Sequence, residues 1–153
     1  NGYQIDSAYR KKFITQEFIP NLKNDWKIYV YGDKYYIFHR PILKNRGFRA
    51  SGGGYNNYTY GLNAHIPEGI LDYAKKIFQK LNVPNASLDI CFNGTDFYLL
   101  EFQCIYFGTA GILKKYSNEY FEFENGNWIN KPNKGDIEQI YVESIVKYIN
   151  LNY

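Results

Sequence analysis

The chain has 153 residues, of which 45% are hydrophobic and 22% charged, enough for one domain with a real core and unlike a disordered composition. Its formal charge of +3 is spread along the chain with no run longer than Arg10-Lys11-Lys12, so the clustered basic face of a nucleic-acid binder is absent and nucleic acid is not an expected partner. No apolar run approaches the ~20 residues of a membrane span and the N-terminus lacks a signal-peptide layout, so no membrane association is expected and a cytoplasmic location is.

In chain order, residues 13–19, "FITQEFI", are β-branched and aromatic and stop at Pro20, which predicts a first strand. Residues 26–31, "WKIYVY", and 35–40, "YYIFHR", flank Gly32-Asp33 and predict a β-hairpin. From Pro41 to Pro67 there is no steady period, and "SGGGYNNYTYG" predicts a long loop whose backbone can approach a ligand. Residues 67–82 place Ile70, Leu71, Ala74, Ile77, Phe78 and Leu81 at helical spacing behind a proline, the pattern of an amphipathic helix.

Two runs, 86–92 and 97–105, then surround Asn93-Gly94, the strongest short hairpin signal. A short helix is expected after Gly108 through Leu113 to Tyr116, then a third hairpin over 119–130 and a last helix over 136–149. The expected fold class is α+β, an antiparallel sheet with packed helices, in one domain over 1–153. The chain has no Met, even at position 1, and is expected to be a piece of something longer.

Cys91 and Cys104 fall on neighbouring predicted strands, where free thiols are the expectation. The sequons at Asn57, Asn85 and Asn93 are chance products of an Asn-rich chain. With 17 Tyr and 11 Phe, aromatics reach 20%; a carbohydrate-binding module would rest on that excess alone.

The chemistry sits on the second hairpin. Period-two geometry puts Glu101 and Gln103 on one face of their strand and Leu100, Phe102 and Cys104 on the other, expected to be core. The turn at Asn93-Gly94 brings Asp89 near residues 98–101. Two adjacent buried carboxylates either share a proton or gain a cation, and an oxygen-only set of Asp, Glu and amide suits Mg2+, or Mn2+ in its place. The alternative is that Asp89 caps a strand end, Glu101 pairs with a lysine and Gln103 bonds backbone. Two His, His39 and His65, are isolated, which disfavours zinc. Arg40, Arg46 and Arg49 precede the glycines, where guanidinium forks and free N–H groups suit phosphate oxygens; the alternative is surface arginines beside a flexible loop.

In order, "QEFI", "DWKIYVYGDK", Arg40, "GFRASGGG", an amphipathic helix, "LDI" and "EFQ" twelve residues after its Asp resemble the C-terminal half of an ATP-grasp domain, closest to the branch of the ribosomal-protein glutamate ligase. The resemblance covers residues 12–115; residues 116–153, a hairpin and helix, extend beyond it. It implies the C-terminal, Mg-nucleotide-binding part of an ATP-dependent carboxylate-amine or carboxylate-thiol ligase. A substrate carboxylate, small-molecule or peptide, attacks the γ-phosphate to give ADP and an acyl-phosphate, from which an amine or thiol displaces phosphate. It also implies roles: Glu17 and Phe18 at the adenine edge, Asp25 near the ribose or acceptor entrance, Arg49 with Ser51 and Arg40 at the phosphates and the transferring group, and Asp89, Glu101 and Gln103 on Mg2+.

Four departures from the family pattern accompany it. Gln103 replaces Asn in the last ligand, "CIYFGT" replaces the usual Pro-Gly, Lys27 stands where the closest branch has Arg, and the preceding nucleotide-gripping subdomain is missing. The fragment alone is therefore expected to be inactive, and a relic that binds a nucleotide or other ligand without turnover is the alternative function.

Overall fold

A computed structural model describes residues 15–20, 22–42, 66–104, 107, 113 and 117–153. Its sheet has six strands, β1 (Asn24–Tyr31), β2 (Lys34–Pro41), β3 (Asn85–Phe92), β4 (Phe97–Cys104), β5 (Glu119–Glu124) and β6 (Asn127–Pro132), in the spatial order β4-β3-β1-β2-β5-β6. Every pairing is antiparallel, the hairpins β1–β2, β3–β4 and β5–β6 as their turn signals predict. The helices are α1 (Ile70–Leu81) and α2 (Ile137–Asn152), and among the described residues no helix is long and apolar enough to cross a membrane.

Alternation along β1 sets the two faces of the sheet. Trp26, Ile28 and Val30 join Tyr35, Ile37, Ala86, Leu88 and Ile90 under α1, which buries Ile70, Leu71 and Ala74 against them. Tyr29 and Tyr31 join Tyr36, Phe38, Phe107 and Leu113 on the opposite face, closed by Ile137 and Ile140 of α2. The rings there meet edge-on or stacked, Tyr29 lying parallel to Phe107 at 5.8 Å between centroids, so much of the aromatic content is core.

Helix α1 begins at residue 70 rather than 67, because Glu68 and Gly69 form a turn in which the Ile70 N–H donates to the Pro67 carbonyl. It ends at Asn82 with a left-handed φ of 47°, whose N–H donates to Phe78, a common helix stop. Helix α2 begins at Asp136, whose side chain accepts from the Glu138 N–H. Strands β5 and β6, beyond the resemblance, are integral to the sheet: Tyr35 pairs with Phe121, and Trp128 packs edge-on to Tyr35 and donates Nε1–H to Asp72 of α1.

Three expectations change. Residues 15–19 carry no strand, and the chain joins the sheet only at Asn24. On β4, Phe102 is 49% exposed rather than core, because β4 is the last strand of the sheet order and is only half covered. The expected helix after Gly108 is represented by helical backbone at Leu113, to whose carbonyl the Ser117 N–H donates; its other residues up to Tyr116, and the glycine-rich loop, lie outside the described residues. Cys91 and Cys104 are free thiols; they pair with Tyr98 and Ala86 respectively, at different ends of the β3–β4 ladder.

Candidate functional site

Apart from His39, the candidate polar residues of β1 to β4 fall on the face opposite α1, in rows running across the sheet. Arg40 pairs with Asp25. The next row is Phe38, Lys27, Asp89 and Glu101, and the next is Tyr36, Tyr29, Ser87 and Gln103. Asp89 and Glu101 are thus direct cross-strand neighbours on one face, the condition for sharing a site, and such pairs hold their Cβ atoms about 4.5–5.5 Å apart.

That alignment depends on a bulge. Phe92, Cys91 and Ile90 pair with Phe97, Tyr98 and Leu99, and the register then shifts so that Asp89 meets Glu101. Leu100 is the extra residue, and it turns to line a cleft instead of the core. Counting regularly from the turn would have set Leu100 opposite Asp89 and Glu101 on the α1 face; no residue type in "YLLEFQ" signals the shift.

The cleft, of about 710 Å3, lies between residues 16–20 with Leu22 and parts of β1, β3 and β4. Its lining includes Glu17, Phe18, Asp25, Asp89 and Glu101, five of the residues proposed from sequence, drawn from three separate stretches of chain. Phe18 is 66% exposed, while Asp25 and Asp89 form a buried floor. The described lining residues include four carboxylates and no Lys or Arg.

Behind the floor stand the compensating cations. Arg40 clamps Asp25 with both arms of its fork, Nε–Oδ1 at 2.6 Å and Nη2–Oδ2 at 2.7 Å, and Nη2 also lies 2.9 Å from Asp89 Oδ2. Lys27 Nζ lies 2.7 Å from Asp89 Oδ1. Two carboxylates and two cations make a neutral buried group, the arrangement low dielectric demands. Burial lifts the Asp25 carboxyl above its ordinary range against the hydrogen bond and charge of Arg40. Burial also works against the charge of Arg40, but the hydrogen bonds and charges of Asp25 and Asp89 outweigh it and raise its pKa. Cys91 is pushed up to about 11 by burial and by the charge of Asp25, which makes it a poor nucleophile.

Arg40, proposed at the phosphates, therefore has its fork on Asp25 and Asp89. Glu101 and Gln103 are exposed, and Gln103 Nε2–H donates to Glu101 Oε1 at 3.3 Å, holding amide and carboxylate together. Beside Gln103, Ser87 has a buried hydroxyl without a hydrogen-bond partner among the described residues. Arg49, Ser51 and Arg46 lie outside the described residues. His39 packs edge-on to Trp26, in the row of the α1 face.

Two carboxylates and an amide carbonyl are oxygen donors of the kind Mg2+ takes, so the residues present fit such a cation by type and by face. Among the described residues no three His, Cys, Asp or Glu side chains form a metal-holding group, so water and ligand oxygens would complete the shell. Sequence reasoning missed the role of Lys27; its position two residues after Asp25 on the same strand face was the available signal. No family model, curated protein or solved structure matches the chain.

Proposed function

We propose that this chain is the C-terminal, Mg-nucleotide-binding part of an ATP-dependent carboxylate-amine or carboxylate-thiol ligase that works through an acyl-phosphate. The observation that supports it is the single cleft in which Glu17 and Phe18, expected at the base, face Asp89 and Glu101, expected at the metal. Phe18 offers an exposed ring for a base to stack on, and the carboxylate floor faces the end where phosphates would lie.

A triphosphate would not approach four carboxylates unaided. Asp89 and Glu101, with Gln103, would hold Mg2+ (or Mn2+), which when bound supplies the positive charge that neutralises β- and γ-phosphate oxygens. Arg40 fixes Asp25 and Asp89 so that the floor does not reorganise as charge moves, the form in which electrostatic catalysis is most effective. The resemblance adds Arg49 and Ser51 as phosphate contacts and a carboxylate and an amine or thiol as the reactants.

A second reading, a nucleotide- or ligand-binding relic without turnover, is favoured by one observation, that both Asp89 oxygens already face protein cations. Calorimetric titration with ATP, with and without Mg2+, tests the first step. Binding that requires Mg2+ and is lost in Glu101→Ala is expected, and metal-independent binding, or none, would count against the site. An ADP-release assay across candidate carboxylates on the longest natural form of the protein then separates ligase from relic.

A further inference from the structure

We infer that the ammonium of Lys27 stands on Asp89 where a divalent cation would stand, so that a metal entering the site must displace it. The inference rests on the metal-nucleotide reading above. Lys27, Asp89 and Glu101 are consecutive in one cross-strand row, so the ammonium and the cation compete for the same carboxylate from its two sides.

The two cations on Asp89 differ in how firmly they are held. Arg40 is fixed by its bidentate grip on Asp25 and by 5% side-chain exposure. Lys27 meets Asp89 at one oxygen only, Nζ lying 2.7 Å from Oδ1, without the second arm that fixes Arg40. Its stem is flexible and its head is a point charge. It also has a second place to rest, because Nζ already lies 5.7 Å from the centroid of the Tyr29 ring, one step along the same face, within reach of a cation–π contact.

Charge balance favours exchange over simple addition. With Lys27 in place, Asp89 is neutralised, while Glu101, exposed, has the Gln103 amide but no cation among the described residues. A divalent cation between Asp89 and Glu101 neutralises both carboxylates, and Lys27, no longer needed on Asp89, is repelled by the new charge. Metal-free, the site is held together by lysine; metal-bound, it gathers Glu101 and turns the ammonium aside.

The test compares the 153-residue chain with Lys27→Gln and with Lys27→Gln/Asp89→Asn. Mn2+ binding is followed by loss of the free-ion paramagnetic resonance signal, and Mg2+ binding by the rise in thermal unfolding midpoint. Lys27→Gln is expected to bind Mn2+ about tenfold more tightly than the parent and to gain more in midpoint from Mg2+; adding Asp89→Asn is expected to abolish both effects. Equal or weaker binding by Lys27→Gln, with clear binding by the parent, overturns the exchange and leaves the metal site standing. No binding by either chain overturns the exchange and the metal reading together. A measurement on the parent alone serves if the variant does not fold: mass-spectrometric acetylation at Lys27 is expected to rise severalfold on saturation with Mg2+, and an unchanged or reduced rate overturns the exchange.

Discussion

Arg40 holds two carboxylates with one guanidinium in a pocket where its side chain is 5% exposed, so the three charges depend on one another. Removing one partner of a buried group strands the other, which typically costs about 3–5 kcal/mol, and Arg40→Met is expected to lose stability of that order. The loss has a pH signature. Burial already raises Asp25, and the hydrogen bond and charge of Arg40 are its main opposing effects, so without Arg40 the folded carboxyl keeps its proton to higher pH still. A folded-state pKa above the unfolded value of about 3.9 contributes stability that is full below that value and is lost as pH rises through the folded one. Denaturant midpoints of Arg40→Met should therefore fall more steeply with rising pH than those of the parent, and parallel profiles would refute the linkage. That Asp89 matters was legible, because it interrupts an apolar strand, whereas Asp25 and Arg40, at the edges of their predicted strands, drew notice through the family resemblance. Their mutual pairing was not legible, since it depends on which strands are neighbours, and β3, which pairs with β1, is separated from it by the long segment that contains α1.

At the scale of elements, the hairpins were legible wherever turn chemistry is local. Asn125-Gly126 adopts the two positive φ angles, 50° and 85°, that a tight hairpin turn needs, and Gly32 and Gly94 are likewise at positive φ. The predicted strand at 13–19 fails over its described part because β propensity expresses itself only beside a partner, and no neighbour in the sheet order belongs to that segment. The bulge at Leu100 was illegible and matters most, since it alone sets which face Glu101 occupies. The consequence for single-residue length changes is asymmetric. Deleting Leu100 regularises the ladder and keeps Glu101 opposite Asp89, so Mn2+ binding should survive. Inserting one alanine after Leu100 with the bulge retained moves Glu101 opposite Leu88, on the face of α1, where a carboxylate should cost at least the roughly 1–3 kcal/mol of an unpaired uncharged polar group and Mn2+ binding should be abolished. Thermal unfolding and Mn2+ titration of the two variants check this, and an insertion no worse than the deletion would show that the register is not set here.

For the whole molecule, the two cores are unequal in origin. The face under α1 comes from a helix whose spacing announced it. The opposite face is closed by α2, whose Ile137 and Ile140 reach Tyr29, Tyr31, Tyr36 and Phe38 from the other end of the chain, a docking that local sequence does not encode. The β5–β6 hairpin reaches the rest of the sheet through one Cα register pair, Tyr35 with Phe121, whereas β1 and β3 share six, from Trp26–Ile90 to Tyr31–Asn85. A ladder that narrow, joined otherwise by side chains, Trp128 on Tyr35 and Asp72, Tyr120 on Tyr36 and Lys75 over Phe123, marks the boundary of a separable cooperative unit. Native-state amide exchange should therefore resolve two levels of protection, with β5 and β6 opening at lower free energy than β1 and β3, and uniform protection would contradict it. The cleft is built wholly from the better-joined side, so the carboxylate floor can persist while the far hairpin breathes.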